Sequence, residues 1–257
     1  MDDYEDDYGR GDPGFALPEP VDPSALPAAL RSLELFDDPY LSMQATNLGV
    51  VDQFCMTLED RLRQSHFDES PTRFPEAVFL SAQSQMWIFA AYEALRTWRQ
   101  RAKEAIRWAE NGGLAIKIAD LRKDVGFRHT GRLIRANQLQ RLIDQPIRID
   151  KLRDDLRRVH IPYERMHLLR ISLAKHEVAG AKEIAVAPGY GRINMWTGAI
   201  DFELSRGRVI LGTLSRLDVA NELRAIGAMS EPPTLEDLES FDAFMSGPLP
   251  EDINLQE

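Results

Sequence analysis

The chain of 257 residues is 44% hydrophobic, which suits one large domain with a sizeable core, and its apolar stretches are too short to span a bilayer. Its acidic first residues differ from a secretion signal, and its one cysteine, Cys55, excludes an internal disulfide. We therefore expect a cytoplasmic protein with no membrane partner. The net charge of −10 conceals a basic middle, because residues 1–95 carry −13, residues 96–175 carry +11 and residues 176–257 carry −8. Such a middle can attract phosphates or an acidic partner.

The fold predicted from the sequence is mostly α. Residues 1–21 are acidic and rich in proline, and we predict a disordered acidic arm because they cannot bury enough apolar surface to offset the entropy of ordering. A helical bundle is predicted over residues 22–179, with glycines and prolines marking the breaks between helices. The predicted helices are Pro23–Leu35, Tyr40–Gln64, Pro75–Asn111, Leu114–Lys123, Thr130–Ile143, Ile149–Val159 and one from Pro162 to about Val178.

The longest predicted helix, Pro75–Asn111, begins with a proline and ends at a pair of glycines. At 1.5 Å per residue it would be about 55 Å long, more than one small bundle needs. Trp87 and Trp98 are eleven residues apart, so they share a face. That face packs in the core, or the helix projects beyond the core and forms the seam of a homodimer or of a hetero-assembly.

After residue 180 the apolar pattern changes from helical to alternating. A small antiparallel β-meander is predicted over residues 180–213, packed on the helical body because so small a sheet is not stable alone. Its strands are Arg192–Trp196, Ala199–Leu204 and Arg208–Thr213, with a possible strand at Ile184–Ala187. Residues 214–257 are predicted to form a helix opened by a capping box at Ser215-x-x-Asp218, followed by an acidic amphipathic tail that docks on this chain or on another protein.

Two groups of basic residues lie in the predicted bundle. The first recurs every three or four positions along the long helix, interleaved with Trp98 and Trp108, and the second lies between residues 148 and 158. Cations interleaved with aromatic side chains are typical of nucleic-acid grooves. An acidic protein, including this chain's own tails, is the alternative partner, and a solvated helix face is the structural alternative. The candidate binding residues are Arg96, Arg99, Arg107, Arg153, Arg157 and Arg158.

Near the end of the bundle, the sequence Arg170-Ile-Ser-Leu-Ala-Lys-His176 contains an arginine followed closely by a histidine. It resembles the motif of the HEPN superfamily, helical proteins that include metal-independent ribonucleases of toxin and phage-defence systems, and the long helix suits such a bundle. The resemblance covers about residues 40–178. It implies that Arg170 orients a phosphate and that His176 transfers a proton, together with their copies across a dimer interface. A surface or capping histidine is the alternative.

Lys175 and Arg192 are two further candidate binding residues, because a meander folded back over the last bundle helix would bring them into one pocket. The histidines never show a spacing typical of metal ligands, and the glycines near residue 190 lack the frame of a phosphate loop. We predict neither a metal nor a cofactor.

Three functions remain open from the sequence. The chain is a helical subunit that binds RNA or an acidic protein partner within a larger assembly, for example in phage defence; or a metal-independent ribonuclease or toxin; or a nucleic-acid-binding protein without chemistry.

Overall fold

The computed structural model describes residues 21–67, 74–127, 129–174, 191–206 and 209–246, and these form eight α-helices and one three-stranded antiparallel sheet. The predicted mostly α class with a small C-terminal sheet is confirmed. The predicted acidic arm, the possible strand at 184–187 and the residues after 246 lie outside the described ranges. The elements are α1 (Ala25–Ser32), α2 (Pro39–Phe67), α3 (Phe74–Glu110), α4 (Leu114–Arg122), α5 (Thr130–Asp144), α6 (Ile147–Ala174), β1 (Gly191–Ile193), β2 (Ile200–Arg206), β3 (Val209–Ser215), α7 (Arg216–Ala225) and α8 (Leu235–Ser246).

The main core lies between α1, α2, α3 and α6, with the sheet and α7 closing it. Trp87 and Trp98 of α3 are both buried in this core. The indole Nε1 of Trp87 donates to the carbonyl of Leu48 at 2.9 Å, and that of Trp98 donates to the carbonyl of Glu34 at 2.8 Å. The core alternative for these tryptophans is confirmed, and Trp98 is not free to stack on a base.

The predicted break between two helices at Pro162 is wrong, because α6 continues through it. A proline inside a helix removes one backbone hydrogen bond and costs about 3 kcal/mol. Here the ring itself is buried, and Val159, Met166 and Leu169 on either side are fully buried in the core. Each such side chain contributes roughly 1.5–3 kcal/mol on burial, so the packing of α6 outweighs the local preference.

The sheet packs on α3 and α6 through its central strand, β2. Ile200, Phe202 and Leu204 alternate along β2 and are buried, which follows from the two-residue period of a strand. β1 ends at Ile193 rather than at the predicted Trp196, because the side-chain oxygen of Asn194 accepts hydrogen bonds from the N–H groups of Trp196 and Thr197 and closes a turn.

The C-terminal helices α7 and α8 begin at capping motifs, the first of them at the predicted Ser215-x-x-Asp218. In α7, the Ser215 hydroxyl accepts from the Asp218 N–H at 3.1 Å, and the Asp218 carboxylate accepts from the Ser215 N–H at 2.8 Å. Thr234 and Asp237 form the same pair of bonds before α8. α8 then packs on α6 with Leu238 and Met245 buried. The acidic tail therefore docks on this chain over residues 235–246.

A buried ionic cluster joins α7 to α2. The Arg216 guanidinium is almost completely buried and forms hydrogen bonds to both carboxylate oxygens of Glu59, at 2.8 and 2.6 Å, and to Asp52. Arg224 pairs with the other oxygen of Asp52. Burial alone would lower the pKa of Arg216, but Glu59 and Asp52 more than offset this and raise it. The guanidinium therefore stays charged.

Cys55 lies beside this cluster and is fully buried. Burial raises the pKa of its thiol to about 11. Because only the thiolate is a good nucleophile, Cys55 acts as a small buried apolar side chain.

Candidate functional site

A groove with a volume of about 560 Å³ runs between the second half of α3 and α6. We call it the α3/α6 groove. One wall carries the four cations that the sequence places three or four residues apart on α3, where successive turns align them. The other wall belongs to α6. Its lining residues are Arg96, Arg99, Gln100, Lys103, Glu104, Arg107, Tyr163, Glu164 and His167.

Aromatic rings cover the α6 side of the groove. Tyr163 and His167 are one helical turn apart, and both rings stack against Tyr92 of α3, with centroids 5.1 and 5.5 Å away. The Tyr163 hydroxyl donates to the Tyr92 hydroxyl at 3.2 Å, and His167 Nδ1 lies 3.0 Å from that same oxygen. Burial raises the pKa of Tyr163, and so does this hydrogen bond, so its hydroxyl stays protonated.

Two of the four cations are neutralised and two are not. Arg96 pairs with Glu93 at 2.7 Å. Arg99 pairs with Glu164 at 3.0 Å while its guanidinium carbon lies over the Tyr163 ring, 3.8 Å from the centroid. Lys103 and Arg107 are exposed and form no ion pair with any described residue. The groove therefore presents two unpaired positive charges beside Arg99 and Tyr163, together with one carboxylate, Glu104, that accepts a hydrogen bond from Gln100.

The proposed catalytic pair falls partly outside the described chain. Arg170 lies over the Tyr92 ring, 4.7 Å from its centroid, but His176 and Lys175 lie outside the described residues. The histidine that shares the aromatic cluster with Arg170 is His167, which the motif comparison missed. Its signal in the sequence is the four-residue spacing from Tyr163, which places both rings on one face of a helix.

In the second basic group, each candidate binding arginine forms an ion pair, unlike Lys103 and Arg107 in the first group. Arg153, Arg157 and Arg158 each form an ion pair with a carboxylate, mostly three residues earlier on α6. The partners are Asp150 and Glu110 for Arg153, Asp154 for Arg157 and Asp155 for Arg158. These three arginines therefore offer little uncompensated charge.

The C-terminal segment covers the same part of α6. Arg157 and Arg158 donate to backbone carbonyls of Pro233 and Ser230, both at 3.5 Å, just before α8. His160 Nε2 lies 2.8 Å from the Asp242 carboxylate of α8. Within the described ranges, residues 230–246 thus contact part of the second basic group and do not line the α3/α6 groove.

Arg192 lies on β1, where its side chain is 80% exposed and 3.7 Å from Glu203. It is not among the lining residues of the α3/α6 groove. Trp108 is half-buried and lines a different cavity, formed with α2, α4 and α5.

A different surface lies on the adjacent helices α2 and α3, and it exposes no charged side chain. Residues 77–92 of α3 include no charged residue, and the only one in residues 39–58 of α2, Asp52, is buried. Phe54 and Phe79 meet edge to face, 6.0 Å between centroids, and bring the two stripes together. We define this α2/α3 face by its exposed apolar residues Met43, Val50, Phe54, Val78, Phe79 and Met86.

Comparisons with protein-family models, with curated proteins and with solved structures found no match to this chain. No helix within the described ranges is both long enough and apolar enough to cross a bilayer. The same part of the chain contains no cluster of three or more His, Cys, Asp or Glu side chains placed to hold a metal ion.

Proposed function

We propose that the protein binds single-stranded RNA along the α3/α6 groove. The observation that carries this proposal is the pair of unpaired cations, Lys103 and Arg107, next to Arg99 stacked on Tyr163. Cations attract the phosphate backbone, and flat aromatic and guanidinium groups offer surfaces on which bases stack. The cations from Arg96 to Arg107 extend over about 16 Å of helix, enough to follow several nucleotides.

An acidic protein is the competing partner for the same charges. The chain's own acidic helix, α8, already packs on α6, next to cations that are otherwise paired. The α3/α6 groove differs from the contact between α8 and α6. In the groove, unpaired cations lie next to stacked aromatic rings rather than next to apolar side chains. These features favour a nucleic acid.

Replacing both free cations, Lys103→Gln and Arg107→Gln, is expected to weaken RNA binding at least tenfold near 0.1 M salt. Loss of two phosphate contacts should also reduce the slope of log affinity against log salt by about 1.4. Fluorescence anisotropy with a labelled single-stranded RNA measures both. The matched control, Arg153→Gln with Arg157→Gln, removes the same charge from paired positions and should change affinity less than threefold.

Equal losses in the two double variants would overturn the groove assignment. Binding of poly-glutamate but not of RNA by the unaltered protein would favour the acidic protein partner. A denaturing gel of the same mixtures in EDTA adds a test of catalysis.

RNA cleavage is the second candidate function, and the position of His167 favours it. The His167 imidazole contacts the Tyr92 hydroxyl, and the Arg170 guanidinium lies over the Tyr92 ring, so one aromatic cluster carries a group that can take a proton from a ribose hydroxyl and a group that can hold a phosphate. On the gel, loss of cleavage with His167→Ala would assign the proton transfer to the groove. Loss with His176→Ala would assign it to the histidine that the HEPN resemblance implies.

We also propose that two copies of the chain associate through the α2/α3 face. A face without charge is complementary to its own copy across a two-fold axis, since no like charges meet there. Aromatic residues and methionine, with charge depleted, characterise the centre of interfaces. About 24 Å of two adjacent helices covers roughly 500 Å² per copy, so the pair reaches the approximately 1,000 Å² of a specific interface.

The variant Phe79→Glu with Met86→Glu is expected to convert a dimer of twice 29.2 kDa into a monomer. Burying two carboxylates per copy against apolar side chains opposes association strongly. Sedimentation velocity measures the mass. Ile116→Glu, which adds a charge at an exposed apolar residue of α4, should leave the dimer intact. A monomeric parent protein at 50 µM would contradict the proposal, whatever the variants do.

A further inference from the structure

A second cavity, of about 640 Å³, lies between the start of α2, the end of α3, α4 and α5. We call it the Arg135 cavity. Its size is within the range of small-molecule sites. Aromatic surface and several cations line it together. Among the lining residues are Tyr40, Trp108, Arg101, Lys117, Arg132 and Arg135.

Arg135 has no carboxylate partner among the described residues. Its Nη2 donates to the backbone carbonyl of Arg101 at 3.1 Å, and its Nη1 donates to the side-chain oxygen of Gln138 at 3.3 Å. Both acceptors are neutral. Gln138 is held in this orientation because its nitrogen donates to Asp37 at 2.7 Å. Burial lowers the pKa of Arg135 to about 10, and the charge of Arg101 contributes to the shift.

The negative charges at the cavity compensate Arg135 only in part, because Glu104, Asp38 and Asp37 favour its charged form without outweighing burial and the charge of Arg101. Asp38 pairs with Arg101 at 2.5 Å, and its other oxygen accepts from the N–H groups of Tyr40 and Leu41 at the start of α2. Glu104 also lines the cavity, but it forms no ion pair there and accepts a hydrogen bond from Gln100. A half-buried cation next to a second arginine is unfavourable unless an anion joins them.

The aromatic side chains that line the cavity indicate that its ligand also carries an apolar group. Trp108 is half-buried, and the Lys117 ammonium lies 5.6 Å from the centre of its indole ring. Tyr40, at the start of α2, is 47% exposed. A ligand with a flat or apolar group would cover these rings while its anionic group reaches Arg135.

We propose that the Arg135 cavity binds a small organic anion, a phosphate or carboxylate carried on an aromatic or apolar group. This site differs from the α3/α6 groove, since the two share only Glu104 among their lining residues, and Arg135 and Trp108 line only the cavity. The protein therefore has a small-molecule site in addition to its proposed RNA groove. Arg135 and Arg101 hold the anionic group, and Trp108 and Tyr40 contact the remainder.

Isothermal titration of the full chain with phenyl phosphate, benzoate and inorganic phosphate tests the proposal. We expect saturable binding of phenyl phosphate or benzoate, at least tenfold tighter than inorganic phosphate. Arg135→Gln should weaken it tenfold or more. The control Arg153→Gln and the groove variant Lys103→Gln with Arg107→Gln should each change it less than twofold.

Thermal melting without ligand separates a binding role from a structural one. Removing a cation without a counter-ion should leave the melting temperature of Arg135→Gln unchanged or higher, whereas loss of a structural residue would lower it by several degrees. No saturable binding of any of the three probes would overturn the proposal. So would equal affinity for inorganic and phenyl phosphate, or binding that depends on Lys103 and Arg107 instead of Arg135.

Discussion

Arg216→Met is expected to lower the free energy of unfolding by about 3–5 kcal/mol, a large part of the stability of an ordinary domain. Without the guanidinium, Glu59 loses three hydrogen bonds and Asp52 loses one, while both carboxylates remain buried. A buried charge without its partner cannot regain the hydration that it lost on folding. Urea unfolding followed by circular dichroism at 222 nm measures the loss.

Two further variants make this prediction specific. Arg216→Met combined with Glu59→Leu removes the arginine and its principal partner together, and Asp52 keeps Arg224. We expect this double variant to recover more than half of the loss, since balanced apolar replacement of a buried pair is often close to neutral. Arg153→Met, at an exposed ion pair, should change stability by less than about 1 kcal/mol. If the single variant matched Arg153→Met, the cluster would carry no stability.

Gly198→Ala is expected to destabilise the protein by roughly 3 kcal/mol or more and to detach the β1–β2 turn from α2. Gly198 has a φ of +72°, and a Cβ there would lie 1.8 Å from the carbonyl oxygen of Glu59. A backbone carbonyl within a helix cannot move aside as a flexible side chain can, so the turn itself must shift. Urea unfolding gives the stability, and hydrogen exchange of the β1 and β2 amides reports the detachment.

Gly112→Ala is the matched control for this variant. Gly112 has a φ of +71°, but no atom lies within 4 Å of the Cβ that alanine would add. It should therefore show only the cost of a left-handed backbone for alanine, about 1 kcal/mol. The difference between the two variants measures the contact of the turn with α2. Equal losses would mean that the backbone angle alone requires glycine at position 198.

Local signals explain why most helices were predictable. Proline and glycine mark the ends of α3, and the serine and threonine caps mark the starts of α7 and α8, because these residues act on backbone groups a few positions away. The spacing of Trp87 and Trp98 places them on one face of the helix, but only the folded chain shows that this face packs in the core. The turn that ends β1 early at Asn194 is equally local, but the alternating pattern concealed it.

Non-local contacts explain the errors and omissions. α6 passes through Pro162 because its neighbours pack against the core, and no property of the residues next to Pro162 indicates that packing. Arg216 is buried by carboxylates more than 150 positions earlier in the chain. An arginine in a sequence is expected to be exposed, so its burial was not predictable.

The candidate site was likewise predictable from the sequence in part, and the rest depended on non-local contacts. The spacing of Arg96, Arg99, Lys103 and Arg107 was enough to predict a cationic stripe on α3, because the period of a helix aligns such positions whatever surrounds them. Which of these charges stay free depended on the folded chain. Glu164 reaches Arg99 from another helix, and the C-terminal segment covers Arg157 and Arg158, whereas nothing in the described chain reaches Lys103 or Arg107. The residue type alone gives the charge of a side chain, but whether that charge is neutralised depends on the neighbours that folding brings next to it.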